Sequence, residues 1–432
     1  MTSFKRYKTL RYGSGDILHT PVVRAGSWIF ATGLRATNSI GKMDDDVLQV
    51  RKPYLSPGKS YREAEFIFQE LFRQLKEAGG DIRQIARLDQ YYPTAHAVDP
   101  YHSVRRGTLD GSIAPSTSVI VRRLLNLDAT MDIQVIAPSI DSGYVIQQFK
   151  STDNIPQTSG YAPCVRVGDL IFLAGQLARD SSGTMATEAM TPTTHMWNGT
   201  RVQLETNYLI EKCISPILRT AGSRLDLILK AQVYLTSGED FSAFWYTWSN
   251  AFKGNRVPPT TVIPLPHPAF GLKDATVEIN IVAAHESSEK KISDIDCDVA
   301  LIAPEMIPAR RFGEILFVAG LFPIGSKGLI SAYDKFMSTP FYIDDSEHQM
   351  AHILETASTI FEAAGSNLSN VVRAIHFHRD LNDFKSAYRK WSTYIGDHGL
   401  PFTAIEVGAI PFLPNARLLL DLWGYIPNNS KS

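Results

Sequence analysis

Apolar and polar positions along the chain form one pattern that occurs three times. Its clearest copy, "VRVGDLIFLAGQ", runs from Val165 to Gln176 and consists of an alternating segment, a turn at Gly168 and Asp169, and a continuous apolar run. This pattern predicts two strands of a hairpin joined by a tight turn. Nearly the same segment starts at Val23 and again at Arg310.

A helix that ends in Ala-Gly follows each hairpin segment. These pairs begin at Ala78, Ala221 and Ala364, at intervals of 143 residues. Glycine suits the left-handed residue that ends a helix. In the third copy one apolar stripe has helical spacing, formed by Met350, Ile353, Leu354, Ala357, Ile360, Phe361 and Ala364. Two landmarks with the same period predict three repeated units, with boundaries 1–142, 143–290 and 291–432.

Each unit has the same predicted order of elements: strands, helix, strand, helix, strands. The middle strands begin near Arg87, Lys230 and Arg373, and apolar residues at helical spacing mark the second helix. Loops as long as those within the units are uncommon unless they are functional. These loops differ completely between copies and comprise 38–59, 180–199 and 325–345.

Composition narrows the class of protein. The chain has 432 residues, 44% hydrophobic and 20% charged, with a formal net charge of −1. These values predict a globular cytoplasmic protein without bulk attraction to nucleic acid or membranes, and the N-terminal residues lack the apolar segment of a signal peptide. Cys164, Cys213 and Cys297 are too few and too scattered for a disulfide framework or a thiolate metal site. We therefore expect no metal.

The repeated motifs resemble those of the RidA/YjgF family of reactive-intermediate deaminases. The match rests on the hairpin motif, on the helix ending in "AAG", on "VYLTSGEDF" and "HRDLNDF" before the second helix, and on the closing strand "ATVEINIVA". The resemblance covers essentially the whole chain in three copies. It implies a chorismate-mutase-like α+β unit, a mixed sheet with two helices on one face. Because the family forms homotrimers with ligand sites between subunits, the three units are expected to form an intramolecular pseudo-trimer, either monomeric or paired as a homodimer.

The resemblance also implies hydrolysis of enamines or imines to a keto acid and ammonia, with an arginine that binds the substrate carboxylate. The corresponding segments read "APSTSVIV", "VPPTTVIP" and "LPFTAIEV" and contain no arginine in any unit. The positions that replace it are Ser116, Thr260 and Phe402, or one residue later Thr117, Thr261 and Thr403. The standard family site is therefore absent from all three units.

Other family positions also differ between the units. In the three units in turn, the family's glutamate corresponds to Gln134, Asn280 and Asp421. Its tyrosine corresponds to His19, Tyr161 and Met306, and its asparagine to Arg105, Trp245 and Tyr388. Because these sets are unlike one another, the three clefts are not equivalent, and one active cleft with two structural ones is expected.

Asp421 is the predicted general acid or base, because it alone of its set is ionisable and a carboxylate inside the apolar run "LLLDLWGY" is costly without a role. Glu406 and Tyr161 are its predicted catalytic partners. Arg105 and Arg122 are candidate anchors for a substrate anion. Further candidate substrate-binding residues are Thr260, Thr403, Gln134, Asn280, His376 and His378.

His376 and His378 alternate along one strand and therefore share a face. We expect that face to point toward the interior of the three-unit assembly, with Ile375 and Phe377 packed on the helices. A pair of histidines without a third ligand is weak evidence for a metal.

The first functional hypothesis is a cofactor-independent hydrolase or deaminase that acts on a C–N bond of an enamine, imine or amide in an inter-domain cleft. The second is a non-catalytic protein that binds a small molecule in the same clefts. Architecture alone also allows a cyclic-amide hydrolase or a chorismatase-like enzyme, although fold does not determine function.

Overall fold

Mixed sheets and helices make up the chain, which confirms the predicted α+β class. The computed structural model describes residues 4–12, 15–49, 54–110, 113–149, 160–192, 194, 199–331, 344–396 and 398–427. Three large sheets contain most of the described strands. The others form two small separate hairpins, Leu10–Tyr12 with Ile17–His19 and Ile324–Gly325 with Gly328–Leu329.

The three large sheets share one strand order: an edge strand, the two hairpin strands, the last strand, the middle strand and the penultimate strand. The first contains, in that order, Lys5–Tyr7, Val22–Ala25, Trp28–Leu34, Asp132–Pro138, Arg87–Tyr92 and Ser116–Ile120. The second contains Ile146–Phe149, Cys164–Val167, Leu170–Leu173, Val277–Ala284, Ile228–Leu235 and Thr260–Pro264. The third contains Ile292–Ile295, Ala309–Phe312, Ile315–Val318, Leu418–Tyr425, Val371–His378 and Phe402–Glu406, and Arg123–Leu124 joins its edge. Among the described strand pairs of the large sheets, only the middle and penultimate strands pair in parallel.

Two helices follow the hairpin in each sequence repeat. In the first repeat they are Lys59–Glu77 and Val98–Leu109, preceded by the short helix Asp45–Leu48. In the second repeat the first helix consists of the consecutive segments Arg201–Tyr208, Leu209–Ile214 and Ser215–Thr220, and the second helix is Phe241–Asn250. In the third repeat they are Asp345–Ala363 and Phe384–Ile395. The segment Leu209–Ile214 is a π-helical turn just before Pro216. Because proline cannot donate the next helical hydrogen bond, widening of the helix at this point is expected.

The predicted apolar stripe and glycine turns are confirmed. All seven stripe residues of the third copy are buried. The glycines after the long helices have φ values of 84°, 78° and 77° at Gly79, Gly222 and Gly365, in the left-handed region that these helix ends require.

One hydrophobic cluster includes residues from all three large sheets. Phe30, Phe172 and Phe317, which occupy the same position in the three hairpin motifs, all belong to it. Buried residues of the three sheets therefore pack against one another in this cluster. Within the described ranges, no helix combines the length and apolar character of a membrane span.

Candidate functional site

A cavity of about 210 Å³ lies between the first and second sheets. The helix Val98–Leu109 and the strand Ser116–Ile120 form one wall, and the second sheet forms the other. We call this space the first–second cavity. Its lining residues are Ala95, Val98, His102, Ser116, Ser118, Ile120, Tyr161, Gly175, Leu177, Arg179, Ala269, Phe270, Gly271 and Glu278.

Glu278 supplies a carboxyl group to this cavity from the second sheet's last strand. The residue is 4% exposed, its Oε1 lies against Gly175 of the cavity lining, and no described residue makes a hydrogen bond or ion pair with its carboxyl. Burial raises the pKa of Glu278 to about 8, and the Arg179 and Arg87 guanidinium groups offset only part of that effect. At neutral pH the group is therefore mainly a neutral acid, poised to donate a proton.

The cavity lining otherwise carries little negative charge. Burial raises the pKa of Tyr161 to about 12, so that its phenol stays protonated and can donate a hydrogen bond. Burial, reinforced by Arg105 and Arg106, lowers the pKa of His102 to about 3. The imidazole of His102 is therefore neutral at physiological pH.

Arg105 lies behind the cavity wall and is fully buried. Its Nη1 donates to Ser116 Oγ over 3.0 Å, and Ser116 Oγ donates to Gln90 Oε1 over 2.9 Å. Ser116 itself lines the cavity. Arg105 thus orients a cavity hydroxyl and adds positive potential near the site.

The strand registers identify the positions that correspond to Glu278 in the other sheets. Glu278 pairs with Tyr234, Asp132 with Tyr91, and Leu419 with Phe377; their pairing partners occur at intervals of 143 residues. Asp132 is held by Arg35 Nη1 at 2.7 Å and by Thr403 Oγ1 at 2.6 Å, and Leu419 has no ionisable group. Of these three equivalent residues in the described structure, only Glu278 has an ionisable side chain without a hydrogen bond or ion pair to another residue.

Side chains fill the cleft between the third and first sheets. His19 stands at the position of Tyr161 and bonds Tyr12 Oη at 3.0 Å, while its ring packs edge-on against Phe402. Tyr388 Oη donates to the carbonyl of Leu18 over 3.0 Å. A space of about 30 Å³ beside His19 is lined only by residues between positions 8 and 74 and has the scale of a single water molecule.

Aromatic side chains occupy the corresponding region between the second and third sheets. Trp245 Nε1 donates to Glu305 Oε1 over 2.6 Å, and Trp248 Nε1 donates to Thr260 Oγ1 over 3.2 Å. Met306, at the position of Tyr161, is buried. The three clefts therefore differ, as the sequence indicates.

Five charged residues form a buried network between the sheets, which we call the central network: Arg87, Asp89, Lys230, Arg373 and Asp421. Lys230 Nζ lies 2.9 Å and Arg373 Nη1 3.4 Å from the Asp421 carboxylate. Arg373 Nη2 and Arg87 Nη2 lie 3.0 and 2.8 Å from that of Asp89. Burial alone would raise the pKa of Asp421, but Lys230 and Arg373 outweigh it and hold the pKa below its usual value.

A family model described as "Endoribonuclease L-PSP" matches residues 152–285 and 306–418, which together exceed half of the chain. The chain belongs to the endoribonuclease L-PSP family.

Curated relatives of this family agree with the RidA/YjgF resemblance, which is confirmed. A RutC family protein of Pyrococcus horikoshii is 29% identical over 103 residues, 24% of this chain and 74% of the relative. The 2-iminobutanoate/2-iminopropanoate deaminase of Salmonella typhimurium is 26% identical over 102 residues, 23% of this chain and 71% of the relative. A chorismatase crystal structure matches with 11% identity and a TM-score of 0.48, over 79% of this chain and 93% of that one.

In this RidA-family chain, the sequence-predicted residues fall into several separate places. Tyr161 lines the first–second cavity and Arg105 stands directly behind it. Asp421 belongs to the central network, and Arg373 Nε donates to Gln134 Oε1 beside it over 2.8 Å. Asn280 Nδ2 contacts Thr117 Oγ1 at 3.3 Å.

The remaining predicted residues bind other protein groups. Glu406 accepts from Arg123 Nε over 2.9 Å and from the Leu381 backbone over 3.0 Å. Thr403 bonds Asp132 and Thr260 bonds Trp248, as described above. Arg122 is exposed, and its backbone N–H donates to the carbonyl of Glu406 over 2.9 Å. The structure does not bring these residues together with Tyr161.

The expected orientation of His376 and His378 is wrong. The ring of His376 packs 4.4 Å from Trp391 and that of His378 packs 5.7 Å from Phe384, both on the helix Phe384–Ile395. Phe377 instead packs against Tyr91 of the first sheet. All eight residues of this strand are buried, so apolar character alone does not distinguish the helix side from the inter-sheet side.

We expect His376 and His378 to make the fold acid-sensitive. Both are fully buried, none of their ring nitrogens has a hydrogen-bond partner among the described residues, and burial lowers the pKa of His378 to about 3. A folded pKa below the unfolded value gives stability that is present above about pH 6.5 and lost as the pH falls. His378 alone should cost about 2 kcal/mol at pH 5, measurable as a lower urea midpoint.

His378→Leu serves as the control for this prediction, because leucine fills a similar volume without a titratable group. The variant should keep its urea midpoint at pH 7 and lose less stability between pH 7 and pH 5. An unchanged pH dependence in His378→Leu would show that the residue is not responsible.

Sequence reasoning missed Glu278 and Arg179. Glu278 lies two residues before Asn280 on the same strand, and residues two apart share a face. The alternation of "ATVEINIVA" therefore puts Glu278 on the same face as Asn280, the residue that corresponds to the family's glutamate.

Proposed function

We propose that the chain hydrolyses the C–N bond of a small imine or enamine in the first–second cavity, without a cofactor. The observation that carries this proposal is the Glu278 carboxyl, which is buried, largely protonated at neutral pH and without a hydrogen bond or ion pair to any described residue. A similar relative named as a 2-iminobutanoate/2-iminopropanoate deaminase supports the same reaction class.

Glu278 can manage every proton in this hydrolysis. Its carboxyl first protonates the imine nitrogen, and the resulting carboxylate then takes a proton from water as the water oxygen bonds to the imine carbon. The carboxyl next protonates the amino nitrogen of the carbinolamine, the C–N bond breaks and ammonia leaves. Loss of the hydroxyl proton to the carboxylate gives the carbonyl product and restores the neutral acid.

Tyr161, Ser116 and Ser118 supply hydrogen-bonding groups around this carboxyl. In our proposal they orient the substrate and the attacking water, and the acid–base role passes from Asp421 to Glu278. The lone pairs of Asp421 already accept from Thr261 and contact Lys230 and Arg373, which leaves that carboxylate committed to protein partners.

We further propose that units 1–142, 143–290 and 291–432 form an intramolecular pseudo-trimer in which only the cleft between the first two units is catalytic. The shared strand order of the three sheets and their common hydrophobic cluster support this arrangement. Differences between the clefts fit a fused chain, because each cleft can change independently.

The direct test uses imines generated in the cuvette from L-amino acids by an amino-acid oxidase, with semicarbazide as a competing trap. The wild-type protein should lower semicarbazone formation and release ammonia and keto acid in equal amounts. If imine-derived ligands or keto acids bind and stabilise the protein but no substrate is consumed, the alternative of a non-catalytic binding protein replaces this proposal.

A further inference from the structure

Arg179 brings a second uncompensated group into the first–second cavity. The residue is half-buried and lies in the loop after the second hairpin strand, where its Nη1 contacts the carbonyl of Gly183 at 3.3 Å. Its Nη2 faces Gly271, another residue of the cavity lining. Its guanidinium forms no ion pair within the described ranges, and its charge acts on the Glu278 carboxyl across the cavity.

The charge balance of the cavity follows from four ionisable lining residues. At neutral pH Tyr161 and His102 are neutral, Glu278 is mainly protonated, and Arg179 is a cation. The lining therefore carries about one net positive charge, and the buried Arg105 behind Ser116 adds to the same potential. A space of this kind attracts a monoanion.

The remaining lining determines what else the ligand contains. Val98, Ile120, Leu177, Ala269 and Phe270 present apolar surface to the cavity. A volume of about 210 Å³ suits a compact molecule rather than a polymer. The ligand is therefore expected to have one anionic group and a small branched or cyclic hydrocarbon body.

We propose that Arg179 is the specificity-determining residue of this cavity and that it selects small monocarboxylates with an apolar body. This inference rests on the proposed function, since it names the class of imino acid or keto acid that the site accepts. A planar guanidinium can hold a carboxylate through two parallel hydrogen bonds. The carboxylate would then approach from the second-unit wall, because Ser116 and Thr117 leave the first-unit wall without an arginine.

Arg179 is specific to the second unit. The residue bridges to Met185, and the same bridge in the first sheet joins Thr37 to Met43. In the third unit the corresponding hairpin joins Ile324 to Leu329. The unit with a cationic side chain at this position is therefore also the unit that contains Glu278, the carboxyl without a hydrogen bond or ion pair.

The test compares acids with their uncharged amides by isothermal titration calorimetry at pH 7. The probes are 3-methylbutanoate and cyclohexanecarboxylate, each beside its primary amide, with wild type, Arg179→Gln and Arg179→Lys. Wild type should bind each acid at least about tenfold more tightly than the amide. Arg179→Gln should weaken acid binding by about ten- to a hundredfold and change amide binding less than about twofold, while Arg179→Lys retains part of the preference.

A second measurement separates a binding role from a structural one. Wild-type affinity for the acid should fall as the pH rises from 7 to 9, because ionised Glu278 repels the ligand, and Glu278→Gln should remove this dependence. The charged or titratable groups that face Glu278 are Arg179, Arg87, Asp89 and Tyr161, and burial raises the pKa of Tyr161 to about 12, above this window.

Equal affinity for acid and amide, unchanged acid binding in Arg179→Gln, or no saturable binding of either acid would each overturn the inference. These outcomes do not depend on turnover. An Arg179-dependent preference for acids in a protein that consumes no imine would sustain the ligand class and remove the proposed hydrolysis. Turnover that depends on Glu278, in a protein that binds acids and amides equally well, would support the proposed hydrolysis and remove the role of Arg179.

Discussion

Glu278→Gln should lower kcat for imine hydrolysis by roughly a hundred- to ten-thousandfold, the usual contribution of a positioned general acid–base. Glutamine matches the size of glutamic acid but cannot donate and recover a proton. Because the carboxyl has no hydrogen-bond partner among the described residues, the substitution should leave the thermal midpoint nearly unchanged. Steady-state ammonia release, beside a thermal melt of each protein, measures both quantities.

Asp132→Asn is the matched control, because Asp132 has the equivalent position in the sealed third–first cleft. Its loss should reduce stability by breaking the contact with Arg35 and leave the kcat of the folded protein unchanged. Gly175→Ala approaches the same site by another route, since an added Cβ would collide with the Glu278 carboxyl. Normal kcat in both Glu278→Gln and Gly175→Ala would contradict the assigned role.

The pH dependence of kcat/KM shows whether the protonated or the ionised form of Glu278 is required. If the neutral acid of Glu278 starts the reaction, kcat/KM should hold at neutral pH and decline as the pH rises through about 8, the pKa to which burial raises this group. A profile that instead increases through this range would indicate that the ionised carboxylate is the reactive form.

Asp421→Ala should destabilise the protein by roughly 3–5 kcal/mol, the cost of leaving buried cations without their partner. The substitution removes the carboxylate that lies 2.9 Å from Lys230 and 3.4 Å from Arg373. The consequence should appear as a lower urea midpoint, with Glu406→Gln as the control. Glu406 is a partly buried carboxylate paired with Arg123, and its substitution should cost about 1 kcal/mol or less.

The same experiment tests the sequence-based catalytic assignment of Asp421. Asp421→Asn keeps the shape of the side chain and should lower stability without changing the kcat of the folded fraction. If Asp421→Asn had wild-type stability but no turnover, the acid–base role would belong to Asp421 and not to Glu278.

The repeated fold could be predicted because its signals are local. Turn glycines, helix-ending glycines and apolar stripes each depend on a few neighbouring residues, and their period shows the three copies. The occupants of the clefts depend on contacts between residues more than 100 positions apart, such as Thr403 with Asp132 or Arg373 with Asp89. Those contacts leave no periodic trace in the sequence.

The same limit explains the wrong orientation of the histidines and the unforeseen ion pairs of Asp421. A charged residue in an apolar strand predicts a partner or a function. The partners of Asp421 are Lys230 and Thr261 of the second sheet and Arg373 of its own sheet. Arg373 lies on the face shared by Ile375 and Phe377, and this face contacts the first sheet. Recognising Lys230 of the second sheet as a partner for Asp421 would have required the arrangement of the sheets.

The central network also bears on how this chain can evolve. Lys230 forms its ion pair with Asp421 of the third sheet. In the second sheet, Gln232 has the position that Asp89 has in the first sheet, and Asn280 has the position that Asp421 has in the third. Three copies of the second repeat around one axis would bury three ammonium groups with no anion among these positions. We therefore expect the second repeat, expressed on its own, to assemble poorly with copies of itself, because its buried lysine depends on a carboxylate from the third sheet.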